Sequence, residues 1–339
     1  MKDLIATSIK YQNGRLHVLD QRLLPGRTHW RRCRSADDMI EMIKTLHIRG
    51  APLIGVGASL ILADLAERGA SAEQLLADST RLQATRPTAV NLSHCMDRIR
   101  SALAQHGPRG LSHCAEQLFE EDVALCERIA QHGAALIPEN SNILTHCNTG
   151  SLATVGVGTA VGVINILQKQ GKKPHVWVGE TRPLLQGGRL TVWEMQHLGV
   201  DHTLICDSMA ALLMQQGKVD FVLVGCDRIA VNGDVANKIG TYSLAVCAYF
   251  HRIPFYVVGP YTTLDKQCPD GQSIPIEERE DAEVLGVSGD FGDVQWSMDQ
   301  TPVYNPAFGI TPAKLITGWV LDTGVYTHEQ VQAGILATL

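Results

Sequence analysis

Cys147 has a type and a position that suggest chemistry, because it ends the apolar run Ile143–Cys147 and precedes a predicted helix. Aligned peptide dipoles at the start of a helix lower the pKa of a thiol and favour the thiolate. The free N–H groups at a helix start can hold a phosphate instead. A lone cysteine in such a turn is also a common small buried residue, so the position alone leaves these interpretations open.

Asp227 follows a second apolar run, Phe221–Gly225. A carboxyl group beside four apolar residues loses water, which raises its pKa and keeps it protonated. A protonated carboxyl group can act as a general acid. The alternative is structural, because Asp227 also suits a helix cap or an ion pair with Arg228.

Several cations and amides at predicted turns suit an anionic ligand. Arg49 and Arg86 each precede a glycine or proline turn that leads into a predicted helix, an arrangement that can hold phosphate. Asn237 and Lys238 follow the turn 232–234 and are predicted to open a helix. Taken one at a time, these residues are better explained as solvated surface groups.

The polar segment 180–190, which contains Gln186, follows another apolar run, so a binding role is plausible there. His146 and His197 are candidate metal ligands, but the 13 histidines include no HExxH or similar cluster. We therefore predict no catalytic metal. Neither a glycine-rich dinucleotide signature nor a P-loop is present.

The second part of the chain alternates apolar runs of strand length with helical stretches. Buried parallel strands have this continuous apolar character, and regular alternation implies right-handed βαβ units. We predict an α/β fold with a Rossmann-like, doubly wound parallel sheet, whose ligands bind at the carboxyl ends of the strands. The predicted strands are Ile143–Cys147, His175–Gly179, His202–Cys206, Phe221–Gly225 and Phe255–Val258.

The first 125 residues have a different pattern. Short alternating stretches in residues 4–24 flank Asn13-Gly14, which predicts a β-hairpin. Helical patterns follow it, and helix 115–130 is predicted to link two domains. We expect a small N-terminal β-hairpin and helical domain over residues 1–125 and the α/β catalytic domain over 126–339. The helical patterns are 36–46, 52–67, 71–84, 91–105 and 111–129.

Composition narrows the function. The chain has 339 residues, a net charge of −6 and no basic block, so we expect neither nucleic acid nor a membrane surface as a partner. The uncharged segment 143–167 contains polar residues and glycines, which fits a buried strand, turn and helix better than a membrane span. The nine cysteines form no CxxC pair, and no apolar stretch long enough for a signal peptide is seen, so we predict a cytoplasmic protein.

Seven segments, in this order, resemble the methylthioribose-1-phosphate isomerases. That family shares a superfamily with the regulatory subunits of the eukaryotic translation-initiation guanine-nucleotide exchange factor. The resemblance covers nearly the whole chain, and the joint match is highly specific. The segments are LDQRLLP (19–25), IRGAP (48–52), ATRPTAVNL (84–92), LTHCNTGSLATVGVGTA (144–160), ETRPLLQGGRLTVWEM (180–195), GCDRIAVNGDVANKIGTYSLA (225–245) and NPAFGITPAKLITG (305–318).

The resemblance implies a two-domain homodimer that needs no cofactor. Its implied reaction converts 5-methylthioribose 1-phosphate into 5-methylthioribulose 1-phosphate in methionine salvage. Carried over by motif, Cys147 and Asp227 are the catalytic pair. The residues that the resemblance assigns to substrate binding, mostly to the phosphate, are Arg49, Gly50, Ala51, Arg86, Gln186, Asn237 and Lys238.

The chain departs from the family pattern in two places. Gly225-Cys226-Asp227 stands where the family usually has Gly-Ala-Asp, and the segment 305–309 lacks the usual Asp. An isomerase of ribose 1,5-bisphosphate or 5-deoxyribose 1-phosphate is one alternative function. The absence of an additional basic cluster favours a neutral 5-substituent over a second phosphate. A non-catalytic regulatory subunit is the other alternative, and the presence of both Cys147 and Asp227 argues against it.

Overall fold

The computed structural model describes residues 1–86, 88–289, 291–298 and 300–339. These residues form a mixed α/β structure with an antiparallel N-terminal sheet and a large, mostly parallel sheet. Pro87, which belongs to the predicted turn after Arg86, lies outside the described residues. Within them, no helix combines the length and the apolar character needed to cross a membrane.

The N-terminal sheet has four antiparallel strands in the order β1-β2-β3-β4. The predicted hairpin is confirmed, and its turn has φ angles of 52° at Asn13 and 66° at Gly14. Positive φ at both central residues is the geometry that the Asn-Gly pair favours, because it matches the twist of the flanking strands. The strands are β1 (Leu4–Ile5), β2 (Ile9–Gln12), β3 (Arg15–Leu19) and β4 (Trp30–Cys33).

Five helices follow, and each predicted helical pattern lies in one of them. The second helix is apolar on almost every side and is therefore surrounded by the others. The last is 27 residues long, so the predicted boundary between residues 125 and 126 falls inside a continuous helix. The helices are α1 (Ala36–Lys44), α2 (Ala51–Glu67), α3 (Ala72–Gln83), α4 (Val90–His106) and α5 (Gly110–Leu136).

The remaining elements alternate between strands and helices before ending in a run of short strands. They are β5 (Asn142–Thr145), α6 (Ala160–Lys169), β6 (His175–Gly179), α7 (Val192–Leu198), β7 (Asp201–Ile205), α8 (Ala210–Gln215), β8 (Phe221–Val224), β9 (Arg228–Ala230), β10 (Val235–Lys238), α9 (Thr241–His251), β11 (Phe255–Val258), β12 (Leu264–Asp265), α10 (Ala282–Leu285), β13 (Gly286–Gly289), β14 (Gly292–Gln295), β15 (Phe308–Thr311), β16 (Gly318–Leu321), β17 (Gly324–Thr327) and α11 (His328–Gln332).

The central sheet has seven strands in the order β17-β16-β11-β8-β5-β6-β7. All pairs are parallel except β16 with β17. All five predicted strands lie in this sheet, within one or two residues of the expected bounds. Because β5 and β8 are parallel neighbours, their carboxyl ends open side by side. The polar residues that follow these two strands are thereby brought together.

The prediction that Asn237 and Lys238 open a helix is wrong. Both residues lie in β10, the third strand of a separate sheet ordered β12-β9-β10-β15. The turn 232–234 joins β9 to β10 as a hairpin, and Lys238 pairs with Phe308 of β15, 70 residues further along the chain. This distant partner carries no local sequence signal, which is why the short strand escapes prediction. The helix α9 begins only at Thr241.

The placement of Cys147 at the start of a helix is also wrong. The helix α6 begins at Ala160, and a long loop separates it from β5. Cys147 itself has a φ angle of 63°, in the left-handed region. Dipole stabilisation by a following helix therefore does not apply to this thiol.

Candidate active site

One cavity of about 790 Å³, counted out to its mouth, lies at the carboxyl ends of β5 and β8 and extends to the start of α2. The structure brings every residue predicted for the site to its wall. These residues are Arg49, Gly50, Ala51, Arg86, Cys147, Gln186, Asp227, Asn237 and Lys238.

The backbone of Cys147 is fixed by two threonine hydroxyl groups. The Cys147 N–H donates to Thr181 Oγ1 at 2.8 Å, and the Cys147 carbonyl accepts from Thr191 Oγ1 at 2.6 Å. Asp207 in turn accepts from the Thr181 N–H at 2.9 Å and from the Arg182 N–H at 2.7 Å. The two threonine bonds satisfy the backbone N–H and carbonyl groups of Cys147, whose left-handed conformation is strained. They hold its half-buried thiol at the cavity wall.

His146, one of the two candidate metal ligands, is buried behind Cys147. Its Nε2 lies 2.8 Å from the carbonyl of Ile239, and burial lowers the pKa of the imidazole. The second candidate, His197, has its Nδ1 at 2.7 Å from the carbonyl of Trp193 in the same helix. Among the described residues, no group of three or more His, Cys, Asp or Glu side chains is arranged to hold a metal ion.

Asp227 stands three residues beyond β8, and its N–H donates to the Ala236 carbonyl at 2.9 Å. Burial raises the pKa of its carboxyl group above the ordinary value of 3.8. The cations Lys238, Arg86 and Arg49 oppose that rise without cancelling it. A carboxyl group in this setting holds its proton more firmly than one in water, as a general acid requires.

Arg228 does not pair with Asp227. Its Nη1 lies 3.4 Å from Asp265 Oδ2, and its Nη2 donates to the Thr88 carbonyl at 3.0 Å. Asp227 also precedes a strand, not a helix, so neither structural interpretation of this residue matches its surroundings.

Lys238 is the most deeply buried cation of the cavity. Its Nζ donates to the Ala307 carbonyl at 3.0 Å and lies 4.7 Å from the centre of the Phe308 ring. Burial lowers the pKa of Lys238, while Cys147 and Asp227 act in the opposite direction. The ammonium group is thus electrostatically coupled to both predicted catalytic side chains.

Arg49 is held against the loop that carries Cys147. Its Nη1 donates to Asn148 Oδ1 at 3.1 Å and its Nη2 to the Asn148 carbonyl at 2.8 Å. The Asn148 amide donates to Glu194 Oε2 at 2.5 Å, and Ser151 Oγ donates to Glu194 Oε1 at 2.7 Å. Glu194 is buried, which raises its pKa, and it ties this loop to α7.

Gly50 makes the close approach between α2 and the same loop possible. Its φ angle is 96°, and a Cβ atom there would lie 2.4 Å from the Ala153 carbonyl oxygen. That oxygen accepts from the Leu53 N–H at 3.2 Å. Because Pro52 has no N–H and that of Leu53 is engaged, the N–H groups of this helix start that remain at the cavity wall belong to Gly50 and Ala51.

Two polar atoms of residues in the cavity wall are buried without a hydrogen-bond partner among the described residues. They are Gln186 Oε1 and Arg86 Nε. Gln186 directly precedes the π-helical turn Gly187–Thr191, which leads into α7. Such atoms are costly unless a ligand or water satisfies them, so Gln186 Oε1 is suited to a polar ligand, whereas Arg86 Nε already lies 3.1 Å from Glu277 Oε2.

Sequence reasoning missed other residues of the cavity wall. Asn148 adjoins Cys147 and Phe308 lies in the segment 305–318, so the matching segments contained a signal for both. Leu184 lies in the segment 180–195 and had the same signal, whereas Leu46 and Arg279 had none. Arg279 lies in an irregular stretch between β12 and α10, where neither strand nor helix periodicity marks its position.

The unusual Cys226 is accommodated by a glycine opposite it. A Cβ atom on Gly259 would lie only 2.3 Å from Cys226 Sγ, so this larger side chain fits because Gly259 has none. Burial raises the pKa of the Cys226 thiol, so it remains neutral beside Asp227.

Comparison with known proteins places this geometry in context. The Initiation factor 2 subunit family matches residues 47–328. The chain is 59% identical over 333 residues to the methylthioribose-1-phosphate isomerase of Yersinia pestis (strain Pestoides F), covering 98% of this chain and 96% of that protein. The crystal structure of 5-methylthioribose 1-phosphate isomerase from Pyrococcus horikoshii OT3 has a TM-score of 0.88 and 41% identity, over 98% of this chain and 96% of the other.

The fold also resembles a translation factor. The crystal structure of eIF-2B subunit delta from A. fulgidus has a TM-score of 0.84 and 37% identity, over 99% of this chain and 100% of the other.

The close approach at Gly50 predicts a specific pattern of stability and binding. Gly50→Ala combines backbone strain with a clash, whereas Gly69→Ala, at a φ angle of 91° with open space around it, introduces strain alone. We expect Gly69→Ala to lower the free energy of unfolding by ~1–2 kcal/mol and to leave the affinity for inorganic phosphate unchanged. Gly50→Ala should lower the free energy of unfolding by more than Gly69→Ala does, and it should weaken phosphate binding by about tenfold or more. Urea unfolding and titration calorimetry measure these quantities, and identical behaviour of the two variants would contradict the prediction.

Proposed function

The chain belongs to the Initiation factor 2 subunit family, and within it we propose the function of a methylthioribose-1-phosphate isomerase. The enzyme converts 5-methylthioribose 1-phosphate into 5-methylthioribulose 1-phosphate in methionine salvage. The observation that carries this proposal is the cavity that joins Cys147, a desolvated Asp227 and several cations. The identity of 59% to a methylthioribose-1-phosphate isomerase over nearly the full length supports it.

The reaction poses a particular chemical problem. In a free sugar, the C1 hydroxyl group loses a proton and the ring opens to an aldehyde. Here C1 carries a phosphate ester, so that route is closed. An acid must protonate the ring oxygen while the bond between C1 and that oxygen breaks, and the hydrogen on C2 must then reach C1.

In this mechanism Asp227 is the acid. Its raised pKa keeps a proton available for the ring oxygen, and the cavity shields the developing positive charge at C1 from water. Cys147, on the neighbouring strand end, acts as base toward C2 or stabilises the developing cation. The hydrogen then travels through an enol phosphate or by a direct hydride shift. In both routes the C2 hydroxyl group becomes a carbonyl, and its proton passes to the Asp227 carboxylate that ring opening left ionised.

In this proposal the phosphate is held by the cations and the backbone N–H groups of the cavity wall. The guanidinium groups of Arg49 and Arg86 supply charge-assisted donors, and Gly50 and Ala51 supply N–H groups at the start of α2. Lys238 adds a third cation. Gln186 and Asn237 offer amide groups to the sugar and its phosphate.

The six parallel strands of the central sheet form the Rossmann-like part of the fold in this proposal. Their order, β7-β6-β5-β8-β11-β16, reverses at β5, and the cavity lies at that reversal. Ligand sites in such sheets lie where the strand order changes direction. Nine free thiols suit a reducing compartment, so we place the enzyme in the cytoplasm.

We further propose a homodimer that is formed through the outer face of α8 and α9, two helices that pack side by side. The helix α9 is apolar on all sides, as in helices that are covered by protein. An apolar face that includes large aromatic side chains suits a self-complementary twofold contact. This α8–α9 face exposes Leu212, Tyr242, Val246, Tyr249 and Phe250.

Turnover of purified sugar phosphates tests the function. We expect efficient isomerisation of 5-methylthioribose 1-phosphate and poor turnover of ribose 1,5-bisphosphate, because the described cavity has no second cluster of cations for a second phosphate. The third substrate, 5-deoxyribose 1-phosphate, measures what the methylthio group contributes. Lack of turnover of the methylthio sugar, or faster turnover of the bisphosphate, would contradict the proposal.

Replacement of the catalytic pair tests the mechanism. We expect Cys147→Ala and Asp227→Asn each to reduce kcat by about 10²–10⁴-fold with unchanged unfolding curves, since each removes one acid or base. The matched controls are Cys206→Ala and Asp201→Asn, which change an exposed thiol and an exposed carboxylate. A near-native kcat in either site variant would remove that residue from the mechanism.

Sedimentation equilibrium tests the dimer. We expect a mass of twice 36.9 kDa for the wild type and of one chain for Phe250→Glu, because Phe250 is 79% exposed, more than any other large apolar side chain of the α8–α9 face. The control Ile5→Glu changes an apolar side chain that is 63% exposed elsewhere and should remain dimeric. A monomeric wild type, or a dimeric Phe250→Glu variant, would refute this interface.

A further inference from the structure

The irregular stretch between β12 and β15 brings one carboxylate into the ring of cations around the cavity. This carboxylate belongs to Glu277, and it lies between two guanidinium groups. Its Oε2 is 3.1 Å from Arg86 Nε, and its Oε1 is 3.2 Å from Arg279 Nη1. Arg86 and Arg279 both line the cavity, so Glu277 bridges two of its cations.

The contacts of Glu277 with Arg279 and with Arg86 differ in hydrogen-bond geometry. Arg279 is fixed independently, because its Nε donates to both oxygens of Glu283 at 2.9 and 3.0 Å. Asn305 donates to the same carboxylate at 3.2 Å and holds it in place. Arg86 Nε, by contrast, is buried and faces Glu277 without the alignment of a hydrogen bond. The contact with Arg86 is therefore the weaker one.

Glu277 and a bound phosphate compete for the guanidinium group of Arg86. The proposed function, on which this inference rests, places the substrate phosphate at Arg86. A phosphate dianion and a carboxylate on one guanidinium group repel each other, so phosphate at Arg86 weakens the contact between Arg86 and Glu277. Glu277 has a second cation within reach in Arg279, whereas the phosphate has the remaining groups of the cavity wall.

We propose that Glu277 is a positioning residue that neutralises Arg86 in the empty cavity and passes to Arg279 when phosphate enters. Four cations line the cavity: Arg49, Arg86, Lys238 and Arg279. Without a resident carboxylate, this concentration of positive charge would attract any small anion. Because Glu277 already contacts Arg86, a weakly binding anion does not displace it. Glu277 also fixes the guanidinium group before substrate arrives.

Calorimetric titration of inorganic phosphate into the full-length protein tests the exchange. We expect Glu277→Gln to bind phosphate roughly three- to tenfold more tightly than the wild type, because a neutral amide competes less well than a carboxylate. The control Glu278→Gln changes the exposed neighbouring carboxylate and should stay within about twofold of the wild type. A structural role for Glu277 predicts the opposite sign, so unchanged or weaker binding by Glu277→Gln overturns the proposal.

A second pair of variants tests the role of Arg279. In Arg279→Gln, Glu277 loses the guanidinium group to which it would pass and stays on Arg86. Phosphate should therefore bind more weakly than to the wild type. Adding Glu277→Gln to that variant should restore the affinity to at least the wild-type level. If the double variant stays as weak as Arg279→Gln, Arg279 contacts phosphate itself and the transfer of Glu277 is refuted.

Phosphate binding separates this inference from the proposed function. If Glu277→Gln tightens phosphate binding while the wild type does not isomerise 5-methylthioribose 1-phosphate, the bridge stands and the function falls. If the wild type is an active isomerase and phosphate binding by Glu277→Gln is not tighter, the function stands and the bridge falls. In the active enzyme, the same exchange should lower KM for the sugar phosphate in Glu277→Gln.

Discussion

The loss of water around Asp227 is the constraint on which the rest of the site depends. Burial favours the neutral carboxyl group, whereas Lys238, Arg86 and Arg49 favour the charged one. In the proposed function the cations hold the substrate phosphate, yet they act against the protonated Asp227 that is proposed to open the sugar ring. The site resolves this conflict by burial, which outweighs the three cations, and by the carboxylate of Glu277, which raises the pKa of Asp227 further.

The fold satisfies this constraint by bringing together distant parts of the chain. Adjacent parallel strands β5 and β8 place Cys147 and Asp227 at one edge of the central sheet. The smaller sheet then turns Lys238 back toward that edge through its pairing with β15. The N-terminal helices close the cavity from the other side, because Gly50 allows the start of α2 to touch the loop after β5.

Much of this architecture is predictable from local pattern. The strands β5, β6, β8 and β11 are mostly apolar runs, the N-terminal helices have helical periodicity, and the resemblance to a family led to the cavity residues. The errors have a common cause, which is dependence on distant partners. Lys238 lies in a strand because β15 pairs with it, Cys147 is held in a left-handed conformation by Thr181 and Thr191, and Arg279 lies in a stretch without periodicity.

The protonation state of Asp227 is the quantity that tests this account most directly. Carbon-13 NMR of labelled aspartate carboxyl groups, with Asp227→Asn to assign the resonance, gives its titration in the unliganded protein. The account predicts a midpoint clearly above the ordinary value of 3.8, with the protonated form persisting at pH values where exposed aspartates are ionised. A midpoint at or below 3.8 would show that the cations outweigh burial, and it would remove Asp227 as the acid that opens the ring.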